Sequence, residues 1–204
     1  MSNYLRQRSL TPSAVEYFNM GEEDIQQQAR MIEASGAEVL IVIGTSFDRA
    51  AIMKALALLN RKIPIISHMA FIAGGYVAEQ FKGVDLSFIQ TFSVHPKDEL
   101  TKRVLKEYLD TYRVSTPQKI PVPAATAQAY DLVHLLAMAI NDANTLDRAS
   151  IRDALEDIKY YKGLIKTYSP PFTKTRHDAL NINDYFMARY DTNGLIVPID
   201  KRSK

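Results

Sequence analysis

The stretch Val39-Leu-Ile-Val-Ile-Gly-Thr-Ser-Phe47 decides the fold class of this chain. Its first five residues are all apolar, and this pattern predicts a strand that is buried on both faces. A helical pattern precedes the strand over Asp24–Ser35, and Gly36 follows as a helix-ending residue. Gly44 leads into a second helical pattern, in which Thr45 and Asp48 have the spacing of a capping box. A buried strand between two helices predicts a βαβ arrangement.

Three other short runs extend this alternation along the chain. Val15–Phe18, Ile63–Ile66 and Leu86–Phe92 are rich in β-branched and aromatic residues. Pro64 places the Ile63–Ile66 run at a sheet edge or at the beginning of a strand. Short strands that alternate with helices of about twelve residues predict an α/β fold with a parallel sheet and helices on both faces, a three-layer sandwich.

The pattern changes after Phe92. Three helices are predicted, over Lys97–Tyr112, Ala124–Ala143 and Asp147–Ile158, and no strand is predicted between Phe92 and Tyr160. Each helix has an apolar face but no sheet of its own to cover. The first sheet, a second copy of the chain or a missing segment would have to bury these faces.

The last part of the chain is rich in loops and ends in a predicted hairpin. Tyr185–Tyr190 forms one strand, Asp191–Gly194 the turn and Leu195–Ile199 the returning strand. Asn193-Gly194 is a strong turn signal, because both residues tolerate a positive φ.

Composition excludes several classes of protein. The 204 residues include 47% hydrophobic and 24% charged residues, which rules out a disordered chain. The absence of Cys removes disulfides and thiolate chemistry. With 25 basic and 23 acidic residues, the net charge of +2 gives no support to a nucleic-acid partner. No apolar run is long enough to cross a bilayer, and the first residues lack a signal-peptide core, so we expect either a cytosolic protein or a piece of a longer one.

No sequence pattern for catalysis or for a metal stands out. The four His residues are isolated from one another, and neither a nucleotide-binding glycine motif nor a nucleophile elbow is present. Two loops at predicted strand ends, Gly44–Phe47 and Ser67–Phe71, offer hydroxyl, imidazole, thioether and aromatic groups. Ligands of open α/β sheets bind beyond the carboxyl ends of the strands, so these loops predict a small-molecule pocket.

Several segments, in their order and spacing, resemble the type I periplasmic binding proteins, and most of all the branched-chain amino acid (Leu/Ile/Val) group that serves ABC importers. The segments are Val15-Glu-Tyr-Phe-Asn19, Ala34-Ser-Gly-Ala-Glu-Val-Leu-Ile-Val-Ile-Gly44, Lys62-Ile-Pro-Ile-Ile-Ser-His68, Ala127-Gln-Ala-Tyr-Asp-Leu-Val-His134, Tyr161-Lys-Gly-Leu-Ile165 and Phe172-Thr-Lys-Thr-Arg-His-Asp178. The likeness extends over nearly the whole chain.

The resemblance implies two α/β lobes that are joined by a hinge of three crossings and close on a ligand. Residues 11–92 resemble the second-lobe core, 93–160 the helices that return to the first lobe, and 161–204 the final crossing and hairpin. The N-terminal lobe itself is expected to be missing. By position, the family's ligand contacts fall on Thr45, Ser46, Phe47, His68, Met69, Ala70, Ala125 and Thr126.

The resemblance also raises a question about the ligand. Amino-acid binders of this family place a carboxylate in the second of these loops to pair with the ligand ammonium, but Ser67-His-Met-Ala-Phe71 contains neither Asp nor Glu. Burying an unpaired ammonium costs several kcal/mol. We therefore expect a carboxylate, an aromatic acid or an amide to suit this site better than an α-amino acid.

The expected function is that of a solute-binding component without enzymatic activity, metal or cofactor, working with the membrane subunits of an ABC transporter. The expected location is periplasmic or extracellular, with the signal peptide upstream of this chain. One alternative is a ligand-sensing domain of a regulatory protein, which would be cytoplasmic; another is a small α/β enzyme using Ser46 or His68. The exposed helix faces also predict self-association, including a homodimer.

Overall fold

A computed structural model describes residues 2–76, 81, 83–95 and 98–199 of the chain. The chain divides into two compact units. The first comprises Met1–Ala73 and Val77–Phe88, and the second Gly74–Tyr76 and Ile89–Lys204. The assignment of 11–92, 93–160 and 161–204 to lobes and crossings stays a prediction.

The first unit is built from strands that alternate with helices, as the sequence predicts. In chain order its elements are α1 (Ser2–Arg6), α2 (Gln26–Ala34), β1 (Leu40–Ile41), α3 (Arg49–Ala57), β2 (Ile65–His68) and the beginning of β3 (Leu86–Gln90). β1 and β2 are parallel, with Leu40 opposite Ile65. β3 lies beside β2, where the Ile65 N–H donates to the Asp85 carbonyl at 2.7 Å. The α/β prediction is confirmed.

Only one face of β1 is buried, which corrects the prediction for Val39–Ile43. Val42 is 6% exposed, as expected for a core residue. Val39, Ile41 and Ile43 are 47%, 44% and 63% exposed. Because successive side chains of a strand point to opposite faces, these three share the uncovered face. The apolar run therefore predicted the strand correctly, but one of the two faces that it predicted to be buried is exposed to solvent.

The Val15–Phe18 run forms no strand, so that prediction is wrong. Val15 and Tyr17 are 56% and 83% exposed. The Tyr17 carbonyl accepts a hydrogen bond from the Gln28 side chain at 3.2 Å instead of from a strand. A strand requires a neighbouring strand to satisfy its backbone, and in the described part of the chain none pairs with this segment.

The second unit contains the predicted helices and hairpin. Its elements are α4 (Glu99–Tyr112), α5 (Pro123–Ala143), α6 (Arg148–Asp157), β4 (Tyr161–Lys162), β5 (Thr167–Tyr168), β6 (Phe186–Tyr190) and β7 (Ile196–Pro198), with 3-10 turns at Pro117–Lys119 and Ile182–Asp184. β6 and β7 are antiparallel, and Gly194 in their turn has φ +78°. The short antiparallel pair β4–β5 was not predicted. No helix among the described residues is long and apolar enough to span a membrane.

α5 has two apolar faces, of which one is buried. Leu135 and Ala139 are 1% and 0% exposed and form a core with Ile158, against which side chains of α6 pack. The sequence pattern predicts an apolar stripe of Ala129, Val133, Leu136 and Ile140 on this helix. That stripe lies on another face, where Val133 and Leu136 are 63% and 44% exposed. The helix is therefore apolar almost all round, and packing inside its own unit covers only part of it.

A buried carboxylate fastens α5 to the β4–β5 pair. Asp131 is 1% exposed and accepts hydrogen bonds from Leu164 N at 2.6 Å, Ile165 N at 3.0 Å and the Tyr168 hydroxyl at 2.9 Å. Burial raises the pKa of Asp131 more than these donors lower it. Burial likewise raises the pKa of Tyr161, to about 12. Gly163 leaves room for the carboxylate, since a Cβ there would lie 2.5 Å from both of its oxygens.

Candidate functional site

The first predicted loop follows β1 and is organised by Asp48. One carboxylate oxygen accepts from Thr45 N at 2.8 Å and from the Thr45 hydroxyl at 2.9 Å, and the other from Gly21 N at 3.0 Å. These hydrogen bonds, with that from Thr45 N the most important, lower the pKa of Asp48 although the side chain is only 4% exposed. Of the predicted capping box, only the hydrogen bond from Thr45 N to the Asp48 carboxylate is formed: Asp48 N donates to the Thr45 carbonyl instead of its hydroxyl, and α3 begins at Arg49 with Asp48, not Thr45, at the N-cap position.

The Asp48 contacts decide what Thr45 can offer a ligand. Its hydroxyl proton points to Asp48, and its oxygen accepts weakly from Phe47 N at 3.3 Å. Thr45 therefore supports the loop and retains at most one acceptor position for a ligand. The next two residues are more accessible than Asp48: Ser46 is half-buried, and the Phe47 ring is 80% exposed. An aromatic side chain in solvent at the carboxyl end of a parallel sheet is available for stacking on a ligand.

The second loop leaves β2 at the neighbouring strand end. Ser67 is buried and donates to the Val42 carbonyl at 2.9 Å, so it fastens β2 to β1. His68 is the last residue of β2, two positions later than the predicted end of that strand, and Met69 and Ala70 follow half-buried. Since β1 and β2 are adjacent and parallel, the two loops emerge at the same edge of the sheet.

His68 has one imidazole nitrogen with a protein partner and one without. Ala70 N donates to Nδ1 at 3.4 Å, which leaves the proton of the neutral ring on Nε2. Nε2 is sheltered from solvent, and no acceptor within the described residues takes its proton. Most buried polar atoms in proteins are hydrogen-bonded, so an imidazole N–H without an acceptor is unusual.

Arg49 is a positioning residue that the sequence reasoning missed. It is 6% exposed at the beginning of α3, and its Nη1 donates to the Phe71 carbonyl at 3.1 Å and to the Ala73 carbonyl at 2.9 Å. Its guanidinium also lies 5.3 Å from the centre of the Phe81 ring. Arg49 thus ties α3 to the chain that follows the second loop. An Arg two residues after the candidate loop Gly44–Phe47 was the available signal, but nothing in the sequence indicated its burial.

The last two predicted contact residues belong to the second unit. Ala125 and Thr126 lie in the first turn of α5, with Ala125 exposed and Thr126 half-buried. Thr126 lines a small apolar cavity of about 20 Å³ together with residues of α4 and α5. That volume holds about one water molecule, so this cavity by itself is not a solute site.

The two loops place polar and aromatic side chains where they can contact a small molecule. In the part of the chain that the structure describes, no cluster of His, Asp or Glu is arranged to hold a metal ion. Asp48 directs both oxygens to groups of its own unit, and neither loop contains another carboxylate. The loops therefore present a hydroxyl, an imidazole and an aromatic ring, which can orient a small molecule.

Comparisons with known proteins agree with the fold. The sequence model of the family described as periplasmic binding protein matches residues 1–194. A type 1 periplasmic binding protein from Bordetella pertussis Tohama I superposes with a TM-score of 0.79 at 20% identity, over 97% of this chain and 56% of that one. No curated protein sequence matches significantly.

Two other solved structures show how the ligands of similar proteins differ. The branched-chain amino acid transporter substrate-binding protein LivJ from Streptococcus pneumoniae, in complex with isoleucine, has a TM-score of 0.65 at 19% identity, over 89% of this chain and 51% of that one. The fatty acid ABC transporter substrate-binding protein from Thermomonospora curvata has a TM-score of 0.66 at 11% identity, with 88% and 46% covered. The chain spans about half the length of these proteins. Its fold and the match over residues 1–194 show that the chain belongs to the type I periplasmic binding protein family, a solute-binding class.

Proposed function

We propose that this chain is part of the substrate-binding component of an ABC importer and takes a small solute at the loops that follow β1 and β2. Family membership and the substrate-binding role of the similar solved structures support the proposal. The observation that carries it is the pair of adjacent strand-end loops, which Thr45 and Ser67 hold in place. The Phe47 ring is exposed in one loop, and at the start of the other the sheltered Nε2 of His68 has no acceptor among the described residues. The proposed location is the periplasm or the cell exterior.

The proposed ligand contains an acidic or carbonyl oxygen, with an aromatic acid as the leading class. Among the described residues none accepts a hydrogen bond from the Nε2–H of His68, and an oxygen of the ligand would supply the acceptor. The exposed ring of Phe47 would stack on an apolar or aromatic part of the solute. An α-amino acid fits less well, because Asp48 is fully engaged and no carboxylate is left in the loops for the ammonium.

The shelter of Nε2 indicates that binding involves a small movement of the loop. A ligand oxygen reaches this atom only when neighbouring side chains shift. Binding would then favour the shifted arrangement, which is how ligands drive closure in two-lobed binding proteins. Contacts from one lobe alone give modest affinity, so we expect dissociation constants in the millimolar range for this chain by itself.

The test is an NMR titration of the 204-residue chain with benzoate and, separately, with leucine. Benzoate is expected to shift the signals of residues 45–47 and 68–70. His68→Ala and Phe47→Ala should each weaken benzoate binding about tenfold, which corresponds to about 1.4 kcal/mol.

His134→Ala is the matched control, because this imidazole is exposed and its contacts, the Tyr130 carbonyl and the Tyr130 and Tyr161 rings, lie outside the two loops. It should leave the titration unchanged. Leucine binding that is tighter than benzoate binding, with shifts in the same loops, would defeat the proposed ligand class. Benzoate shifts that are insensitive to His68→Ala would defeat the proposed site.

A further inference from the structure

The turn between β6 and β7 contains the one Asn-Gly step of the sequence, Asn193-Gly194. The side-chain amide of an Asn can react with the backbone nitrogen of the next residue, and a Gly there hinders the reaction least because it has no side chain. In this reaction Gly194 N bonds to Cγ of Asn193, the C–N bond of the side-chain amide breaks, and ammonia leaves with the proton of the Gly194 N–H. Water then opens the cyclic imide at either carbonyl, which gives Asp or isoaspartate at position 193.

The folded turn engages the nitrogen that would react. Gly194 N donates to the Asp191 carbonyl at 3.0 Å, and Asp191 N donates to the Leu195 carbonyl at 2.9 Å. The Asp191 carboxylate accepts from Asn193 N at 2.8 Å and from Leu195 N at 2.9 Å. The Asn193 carbonyl accepts from the Gln118 side chain at 3.3 Å. Because Gly194 N must leave its acceptor and turn toward the Asn193 side chain, the reaction requires the turn to open.

The turn also packs closely against an aromatic ring of its own unit. Gly194 is buried with φ +78°, and a Cβ added to it would overlap the Tyr76 ring. Isoaspartate adds a methylene group to the main chain directly before Gly194, so the backbone could not keep both this packing and the hydrogen bonds of the turn. Either product also places a carboxylate near that of Asp191, and like charges repel.

We propose that Asn193 is a site of spontaneous deamidation, that the Asp191 carboxylate slows the reaction by holding the turn closed, and that the modification loosens the β6–β7 hairpin. The loosening would reach the buried part of the hairpin. Ile196 is 4% exposed, and its carbonyl accepts from the Ser93 hydroxyl at 2.8 Å. The proposal concerns the second unit and does not depend on the proposed ligand.

The test is incubation of the 204-residue chain at neutral pH, folded or unfolded in urea, followed by peptide mass spectrometry. Deamidation and isoaspartate should appear at Asn193, more slowly in the folded chain than in urea. Asp191→Ala should speed the reaction of the folded chain about tenfold, because it removes two hydrogen bonds that close the turn, and should leave the rate in urea unchanged. Asp142→Ala is the matched control and should change neither rate. Asn193→Gln should remove the modification, because its longer side chain would have to form a larger ring.

Three results would overturn the proposal. Deamidation that falls mainly on other Asn residues would remove the site. Wild-type chain that reacts as fast when folded as in urea would show that the turn gives no protection. An Asp191→Ala variant that is folded by circular dichroism and reacts at the wild-type rate would remove the role of that carboxylate. Hydrogen exchange tests the consequence: the deamidated chain should lose protection at residues 189–197, and unchanged protection there would contradict the loosening of the hairpin.

Discussion

Removing the Asp131 carboxylate should loosen the second unit more than almost any other single polar change. In Asp131→Ala, Leu164 N, Ile165 N and the Tyr168 hydroxyl lose a common acceptor in a buried position. A buried donor that is left unsatisfied costs about 1–3 kcal/mol. Some relief comes from a water molecule entering the space left by the carboxylate. The expected loss of unfolding free energy is therefore about 3–5 kcal/mol.

Asp131→Asn refines the prediction. The amide keeps the shape of the carboxylate, but its nitrogen would face one of the two backbone donors, and donors do not bond to each other. We expect a loss of about 1–3 kcal/mol, smaller than for alanine. Asp142→Ala is the matched control, because Asp142 is exposed on the same helix and its removal should change stability by less than about 0.5 kcal/mol.

Two measurements check these values. Thermal unfolding followed by circular dichroism should show Asp131→Ala melting about 6–20 °C lower, at about 2–4 °C per kcal/mol for a chain of this size. Hydrogen exchange gives the local readout, in which the amides of Leu164 and Ile165 should lose protection before those of the first unit do. A melting point within 2 °C of the wild type, with both amides still protected, would refute the reasoning.

Three other changes test separate parts of the structure. Asp48→Asn should remove an acid-dependent loss of stability. Because the pKa of Asp48 is lowered in the folded chain, its ionised carboxylate stabilises the fold above the unfolded-state pKa, and this stabilisation is lost as the pH falls through the lower folded value. The free energies of unfolding in urea of wild type and variant should therefore converge below about pH 4. Gly163→Ala should lower the free energy of unfolding by about 1–3 kcal/mol, because its Cβ would press on Asp131. The double variant with Asp131→Ala should lose less free energy of unfolding than the two single variants added together, and strict additivity in this double-mutant cycle would contradict the contact. Asp147→Ala should cost about 1 kcal/mol by removing the acceptor for Ser150 N at the beginning of α6; unchanged denaturant midpoints would argue against this cap.

The candidate site was only partly readable from the sequence. The loops could be placed because a change of period marks the end of each strand, at Gly44 for the first and near Ile66 for the second, although β2 continues two residues further, to His68. The roles inside the loops could not be assigned, because they depend on contacts across the fold. Thr45 has the residue type of a ligand contact, yet its proton is directed to Asp48. Arg49 appears as an ordinary helix residue until its contacts with the Phe71 and Ala73 carbonyls are seen.

The sequence by itself determined the kinds of element and their order, because apolar periodicity and turn residues act locally. The α/β alternation, the helices after Phe92 and the terminal hairpin all follow from it. Tertiary structure decided which apolar surfaces are covered. α5 buries Leu135 rather than Leu136, β1 buries Val42 but exposes Ile43, and Val15–Phe18 remains unpaired. The physical reason is that an apolar side chain is buried only when a second surface packs against it. The sequence shows which residues would be stabilised by such packing, and the rest of the fold determines where the second surface lies.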